Sequence, residues 1–287
     1  MVKNIILILT FFTFVSPVSI WAEDVFAAEF NQGNNRFGTI NLSTGNFTQL
    51  GSYGGTIIND IAYAPDGNLY GIENSTTLVT FNESNGAITP VANFNVGGIE
   101  TFAFDPTNGD LFAATQSSLY TLNVTTAAAT LIGNYGSAPG LGTSGQNIRF
   151  AADGDLYVTN TSTDGTTTDL YRLSLTNGSA TLLGGVVGYP NLVLANAGHD
   201  MYGVSVNVSA PGGTQQTLLT FDLSSLGNGS SPHNIAVTPL NGTANIPQNF
   251  NFSGSQRASV VPEPSSLVLM AAGICTLLIF LRKRKRS

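Results

Sequence analysis

Apolar and polar residues alternate along most of the chain in runs of four to six, separated by clusters of Asp, Asn, Gly, Ser and Thr. The stretch "DIAYAPDGNLYGI" (60–72) is representative. Period-two alternation on either side of a tight "DG" turn predicts a β-hairpin with one face buried. The same unit returns as "TFAFDPTNGDLFAA" (101–114), "NIRFAADGDLYVTN" (147–160) and "NLVLANAGHDMYGV" (191–204). A second hairpin follows each of the first three. "TTLVTFNESNGAITPVA" (76–92) parallels "SSLYTLNVTTAAATLIG" (117–133) and "TDLYRLSLTNGSATLLG" (168–184). Related segments occur early, "NRFGTINLSTGNFTQLG" (35–51), and late, "QTLLTFDLSS" (216–225).

Aligned aromatic positions Phe26, Tyr70, Phe112, Tyr157 and Tyr202 are 44, 42, 45 and 45 residues apart. A period near that length, made of four short strands, fits a β-propeller blade and exceeds the coil of a β-helix. The predicted class is therefore all-β: a propeller over 23–253, with five blades of four strands, or six because 205–248 is irregular. An open β-sandwich would not impose so even a period. The first unit lacks a leading strand, and the apolar "NFNF" at 249–252 is positioned to supply it from the other end of the chain. Joining the two ends would remove the exposed edges of the first and last blades. "DLYVTN" in the third full repeat also resembles the YVTN-type propeller repeat of bacterial surface proteins, through one short match.

Composition agrees with an all-β chain and narrows the chemistry. Charged residues are only 9% of the 287, and polarity comes from residues that favour turns and strands over helices. Between residues 23 and 264, four arginines (Arg36, Arg149, Arg172, Arg257) face all 17 acidic residues, a net charge of −13, and lysine is absent. Such a body repels phosphate backbones, which argues against nucleic acid as a partner. The one cysteine, Cys275, lies in a C-terminal apolar run. Disulfides, cysteinyl zinc sites and thiol nucleophiles are thereby excluded from the body.

The two ends read as addresses. Lys3, the apolar "NIILILTFFTFV" and a small residue at Ala22 form a secretory signal over 1–22, with an uncleaved signal anchor as the alternative. At the other end, a linker (254–261) leads to Pro262-Glu263-Pro264. An apolar segment (265–281) and the basic residues Arg282, Lys283, Arg284, Lys285 and Arg286 follow. The apolar segment predicts a short transmembrane helix whose basic tail stays cytoplasmic.

This three-part ending, residues 262–287, resembles the PEP-CTERM sorting signal. The resemblance implies Pro262, Glu263 and Pro264 as the recognition motif and Arg282–Arg286 as the retention tail. It also implies an exosortase in the inner membrane of a Gram-negative bacterium as processing partner. The body would first be periplasmic and transiently anchored, then at the cell surface or outside the cell. The family's association with exopolysaccharide and biofilm suggests matrix or envelope glycans as partners. A plain tail anchor with a proline-containing linker is the competing explanation.

Catalytic candidates are sparse. His199 sits beside Asp200 in a turn with no nucleophile in view, and His233 has no acidic neighbour in sequence. No GxSxG elbow, phosphate loop or dinucleotide fingerprint stands out, and no catalytic residue or cofactor is assigned. Asp66, Asp105, Asp110, Asp153 and Asp155 recur in the turn of each first hairpin. Asp105, Asn108 and Asp110 of "DPTNGD" are a candidate calcium site. Turn chemistry explains the same residues, because Asp and Asn cap tight turns and a structural turn must recur in each blade. The Asn-x-Ser/Thr sites, including Asn41, Asn74, Asn123, Asn177 and Asn251, reflect a chain rich in these residues. The expected function is a non-enzymatic binding or structural module. The alternative is an extracellular carbohydrate- or lactone-acting enzyme using carboxylates, with or without calcium.

Overall fold

The structure is a computed structural model. It describes residues 24–29, 35–41, 44–136, 147–151, 154–161, 165–189, 192–197, 200–207, 215–221, 233–234, 237–239 and 250–252. These form a five-bladed propeller. The first blade holds β1 (Asp24–Glu29), β2 (Arg36–Asn41) and β3 (Phe47–Ser52). The second holds β4 (Ile58–Tyr63), β5 (Leu69–Glu73), β6 (Thr77–Phe81) and β7 (Ile88–Asn93). In the third are β8 (Thr101–Phe104), β9 (Leu111–Ala114), β10 (Ser118–Leu122) and β11 (Ala129–Asn134). The fourth comprises β12 (Asn147–Phe150), β13 (Leu156–Thr161), β14 (Thr167–Leu173) and β15 (Ala180–Val187). The fifth contains β16 (Val193–Ala197), β17 (Asp200–Asn207) and β18 (Gln215–Phe221).

Short strands complete the sheets. Between β18 and the chain end lie β19 (His233–Asn234), β20 (Val237–Pro239) and β21 (Phe250–Phe252). β20 pairs with β18 as the fourth strand of the fifth blade, whereas β19 joins the outer edge of the fourth blade in parallel with β15. β21 pairs antiparallel with β1 (Ala27↔Phe252, Ala28↔Asn251, Glu29↔Phe250), so the first blade is ordered β21-β1-β2-β3. The innermost strands close a cycle, each touching the next: β4, β8, β12, β16, β21 and back to β4. Residues Phe250–Phe252 of "NFNF" therefore close the ring, as the pattern predicts.

Blade faces pack against each other, which is why the inner strands are apolar on both sides while the outer ones are not. β5 is buried along Leu69–Ile72, whereas β7 is mostly exposed and no residue of β11 is buried. Between the first and second blades lie Phe37, Ile58, Ile61, Leu69 and Val79; between the third and fourth lie Leu119, Ile148, Leu156, Val158 and Tyr171. Each such aliphatic or aromatic side chain contributes about 1.5–3 kcal/mol on burial. The outer strands carry a bulge at matching places, with the register shifting at Phe37/Gly38, Leu78/Val79, Leu119/Tyr120 and Leu170/Tyr171. Just past the bulge, Gly51 and Gly133 admit the outer turn of the next blade. A Cβ there would collide with the carbonyl oxygen of Asn85 at the first and of Asn177 at the second.

Buried tyrosines tie loops to strands. Tyr53 donates to the Glu29 carbonyl (2.6 Å), and Tyr135 to those of Thr115 and Ser118 (3.0 and 3.1 Å). Burial raises the pKa of both hydroxyls, and pushes those of Tyr70 and Tyr171 up to about 12. The folded protein holds these protons at a pH where the unfolded chain has lost them. Their contribution to stability is therefore fully present below about pH 9 and is lost as pH rises from about 10 through 12. Denaturant melts at pH 8 and pH 11 measure this; equal stability at the two would contradict it.

Candidate functional site

Two places bear on function: the propeller axis, with the inner turns around one of its mouths, and the sorting segment. At the axis, one register position of the inner strand stitches the second, third and fourth blades each to the blade that follows. Asp60, Thr101 and Asn147 lie opposite Ile72, Ala114 and Thr159, which hold the same place in β5, β9 and β13. Each accepts a backbone N–H from the following blade: Asp60 Oδ2 from Phe102 (3.0 Å), Thr101 Oγ1 from Ile148 (3.0 Å), Asn147 Oδ1 from Leu194 (2.9 Å). By register Val193 and Asn251 hold the same place in β16 and β21.

Arg149 adds a link across the ring. It stands two residues further along β12, where the other blades have Ala62, Ala103 and Ala195. The small side chains of Ala62 and Ala103 leave space for a guanidinium, which spans from the fourth blade to Asp60 of the second. Its Nη2 and Nη1 donate to Asp60 Oδ1 (2.6 Å) and Oδ2 (2.9 Å), with both side chains 2% exposed. Nη1 also donates to the Ile148 and Phe102 carbonyls (2.6 and 3.1 Å). Asp60 Oδ2 accepts from Thr101 (2.6 Å) as well, and Oδ1 from the Ile61 N–H (2.9 Å). Five donors engage one carboxylate, so its lone pairs are committed to the fold. Sequence reasoning missed this pair. The one clue was an arginine inside "NIRF", at a place held by alanine in the neighbouring repeats.

The inner turns gather around one mouth of the axis. A Cβ on Gly109 would sit 3.6 Å from Pro65, and one on Gly154 3.6 Å from Thr107, so turns of successive blades touch. Gly67, Gly109 and Gly154 have φ of +89°, +81° and +86°, the left-handed backbone that the recurring glycine of these turns serves. The acids close their own turns. Asp66 accepts from the Asn68 N–H (2.9 Å) and the Tyr70 hydroxyl (3.0 Å). Asp105, itself buried, accepts from the N–H (2.8 Å) and hydroxyl (2.6 Å) of Thr107, and Asn108 accepts from the Asp110 N–H (2.8 Å). Asp155 pairs with Arg172 at 3.3 Å in a solvated position.

Among the described residues, no three of His, Cys, Asp and Glu gather as a metal-binding group. Asp153 and His199 lie outside the described residues, as does the His233 side chain.

Residues 260–285 match the family described as the PEP-CTERM protein-sorting motif. The chain ends on a PEP-CTERM sorting motif. The match covers Pro262, Glu263 and Pro264, the apolar segment and Arg282–Lys285. All of these, like residues 1–22 and the linker, are outside the described residues. Within the described part no helix is long and apolar enough to cross a membrane.

The PEP-CTERM motif implies exosortase-dependent export to the cell surface, with a membrane-anchored sorting signal. No curated protein matches the chain. The propeller resembles a chain of the nidogen/laminin complex at 12% identity, covering 82% of each chain with a TM-score of 0.52, a likeness of fold. It also matches a Bacteroides thetaiotaomicron protein of unknown function (18% identity, 79% of this chain and 60% of that one, TM-score 0.49). A Xanthomonas campestris gluconolactonase matches at 11% identity over 75% and 73%, with a TM-score of 0.43.

Proposed function

We propose that the protein is a non-enzymatic, exported binding or structural propeller. The signal at 1–22 directs export, 265–281 spans the inner membrane for a time, and the basic tail Arg282–Arg286 stays cytoplasmic. Exosortase then cuts at or near Pro262-Glu263-Pro264, and the propeller passes to the cell surface or beyond. The observation that carries this reading is the sorting motif following a closed propeller in one chain. The non-enzymatic part is supported by the commitment of the central carboxylate of Asp60, and of those of Asp66 and Asp105, to bonds that hold strands and turns.

The partner we assign is exopolysaccharide or another envelope glycan. A lysine-free surface rich in hydroxyls and amides suits neutral polymers. Retention of the processed protein on the host's own matrix polysaccharide tests this, and elution with the unbound fraction would remove the assignment.

Calcium at Asp105, Asn108 and Asp110 has its own test. Asp105 Oδ1 already accepts two bonds, and Asn108 Oδ1 closes the turn. Melting in millimolar calcium and in chelator is therefore expected to coincide. A rise with calcium that Asp110→Asn abolishes would establish the site, and would favour the alternative of a calcium-assisted enzyme on sugars or lactones.

A further inference from the structure

The way the ring closes fixes how the propeller faces the membrane while it is tethered. In the antiparallel pair of β1 and β21, Phe250 lies opposite Glu29 and Phe252 opposite Ala27. The end of β21 and the start of β1 at Asp24 therefore point to the same face. β1 is the counterpart of β5, β9 and β13, whose first residues Leu69, Leu111 and Leu156 follow the inner turns. That shared face is the one bearing Asp66, Asp105, Asp110 and Asp155. The turns of the opposite face include Asn74–Thr76 and Thr115–Ser117.

Nine residues, 253–261, separate β21 from Pro262. They reach at most about 30–32 Å when extended, and as a flexible chain about 15–18 Å. A six-residue strand makes a blade about 20 Å tall. To turn the opposite face to the bilayer, the linker would have to climb that height and spend about two-thirds of its extended length. β21 is also an innermost strand, so the tether leaves beside the axis and not from the rim.

We infer that, in the anchored protein, the inner-turn face is turned towards the inner membrane and its processing machinery, and the opposite face points away. The inference rests on the anchor reading above. Its consequence is an order of access: a glycan met before cleavage meets the outward face, and the acidic inner-turn face opens only on release.

The test uses the full chain with Cys275→Ser, which leaves no other cysteine. Asn68→Cys and Gln116→Cys place a bimane on exposed turns of the two faces. The protein is reconstituted in phosphatidylethanolamine/phosphatidylglycerol vesicles carrying a headgroup nitroxide lipid. The label at 68 is expected to be quenched several-fold more strongly than that at 116, and the difference to vanish in detergent without the nitroxide lipid. Equal quenching, or stronger quenching at 116, in protein that floats with the vesicles overturns the orientation alone. Protein that fails to float overturns the anchor reading, and the orientation with it.

Discussion

Asp60→Asn and Arg149→Met are each expected to lower stability by about 3–5 kcal/mol, because each leaves the other charge buried without its counter-ion. For a propeller of this size that lowers Tm by about 6–20 °C. The double variant is the informative one. Asp60→Asn keeps a side-chain oxygen for the Phe102 N–H, and Arg149→Met fills space among Ala62 and Ala103 with no charge left to compensate. Replacing a buried ion pair by neutral groups is often close to neutral, so the double variant is expected to recover more than half of the summed loss. Simple additivity in thermal melts would show that the two residues act separately, against the bidentate contact between them.

The second large effect is on ring closure. Consecutive residues of a strand direct their N–H groups to opposite sides, and β21 has a strand partner on one side, β1. Replacing both Asn251 and Phe252 by proline must therefore remove a ladder donor, whichever of the two supplies it. The inner strands of the second and fifth blades then lose the strand between them, and β1 becomes an exposed edge. The expected result is loss of the single cooperative melt, with rapid proteolysis of the body. An unchanged melt would mean that 250–252 does not close the ring.

Much of this was legible because repeats multiply a weak signal. One "DG" turn between alternating residues is a hairpin; four such units in succession at an even spacing are blades. The closing strand was legible for a related reason: the first unit lacked its leading strand, and a matching apolar segment stood near the other end. The ending from Pro262 onwards was legible because three features occur together in order.

What was not legible depends on contacts between distant parts of the chain. Asp60 and Arg149 are 89 residues apart and belong to blades that are not neighbours. Nothing local distinguishes Asp60 from the turn acids, although it does no turn work at all. The irregular stretch after β18 hid β19 and β20, two and three residues long, below any periodic signal. The inner-turn acids were visible, but the hydrogen bonds donated within these turns by Asn68, Thr107 and Asp110 are a matter of geometry that the residue types alone do not give.

The central claim is that the propeller is delivered by cutting its tether at the sorting motif. Intact mass and location of the native protein, compared with a variant in which Pro262, Glu263 and Pro264 are all replaced by alanine, test it most directly. The wild-type chain should lack the segment beyond the motif and be found outside the inner membrane, with the variant retained there and carrying its full tail. Wild-type protein that keeps Arg282–Ser287 and stays in the inner membrane would contradict the account, and would make the propeller a permanently anchored periplasmic protein.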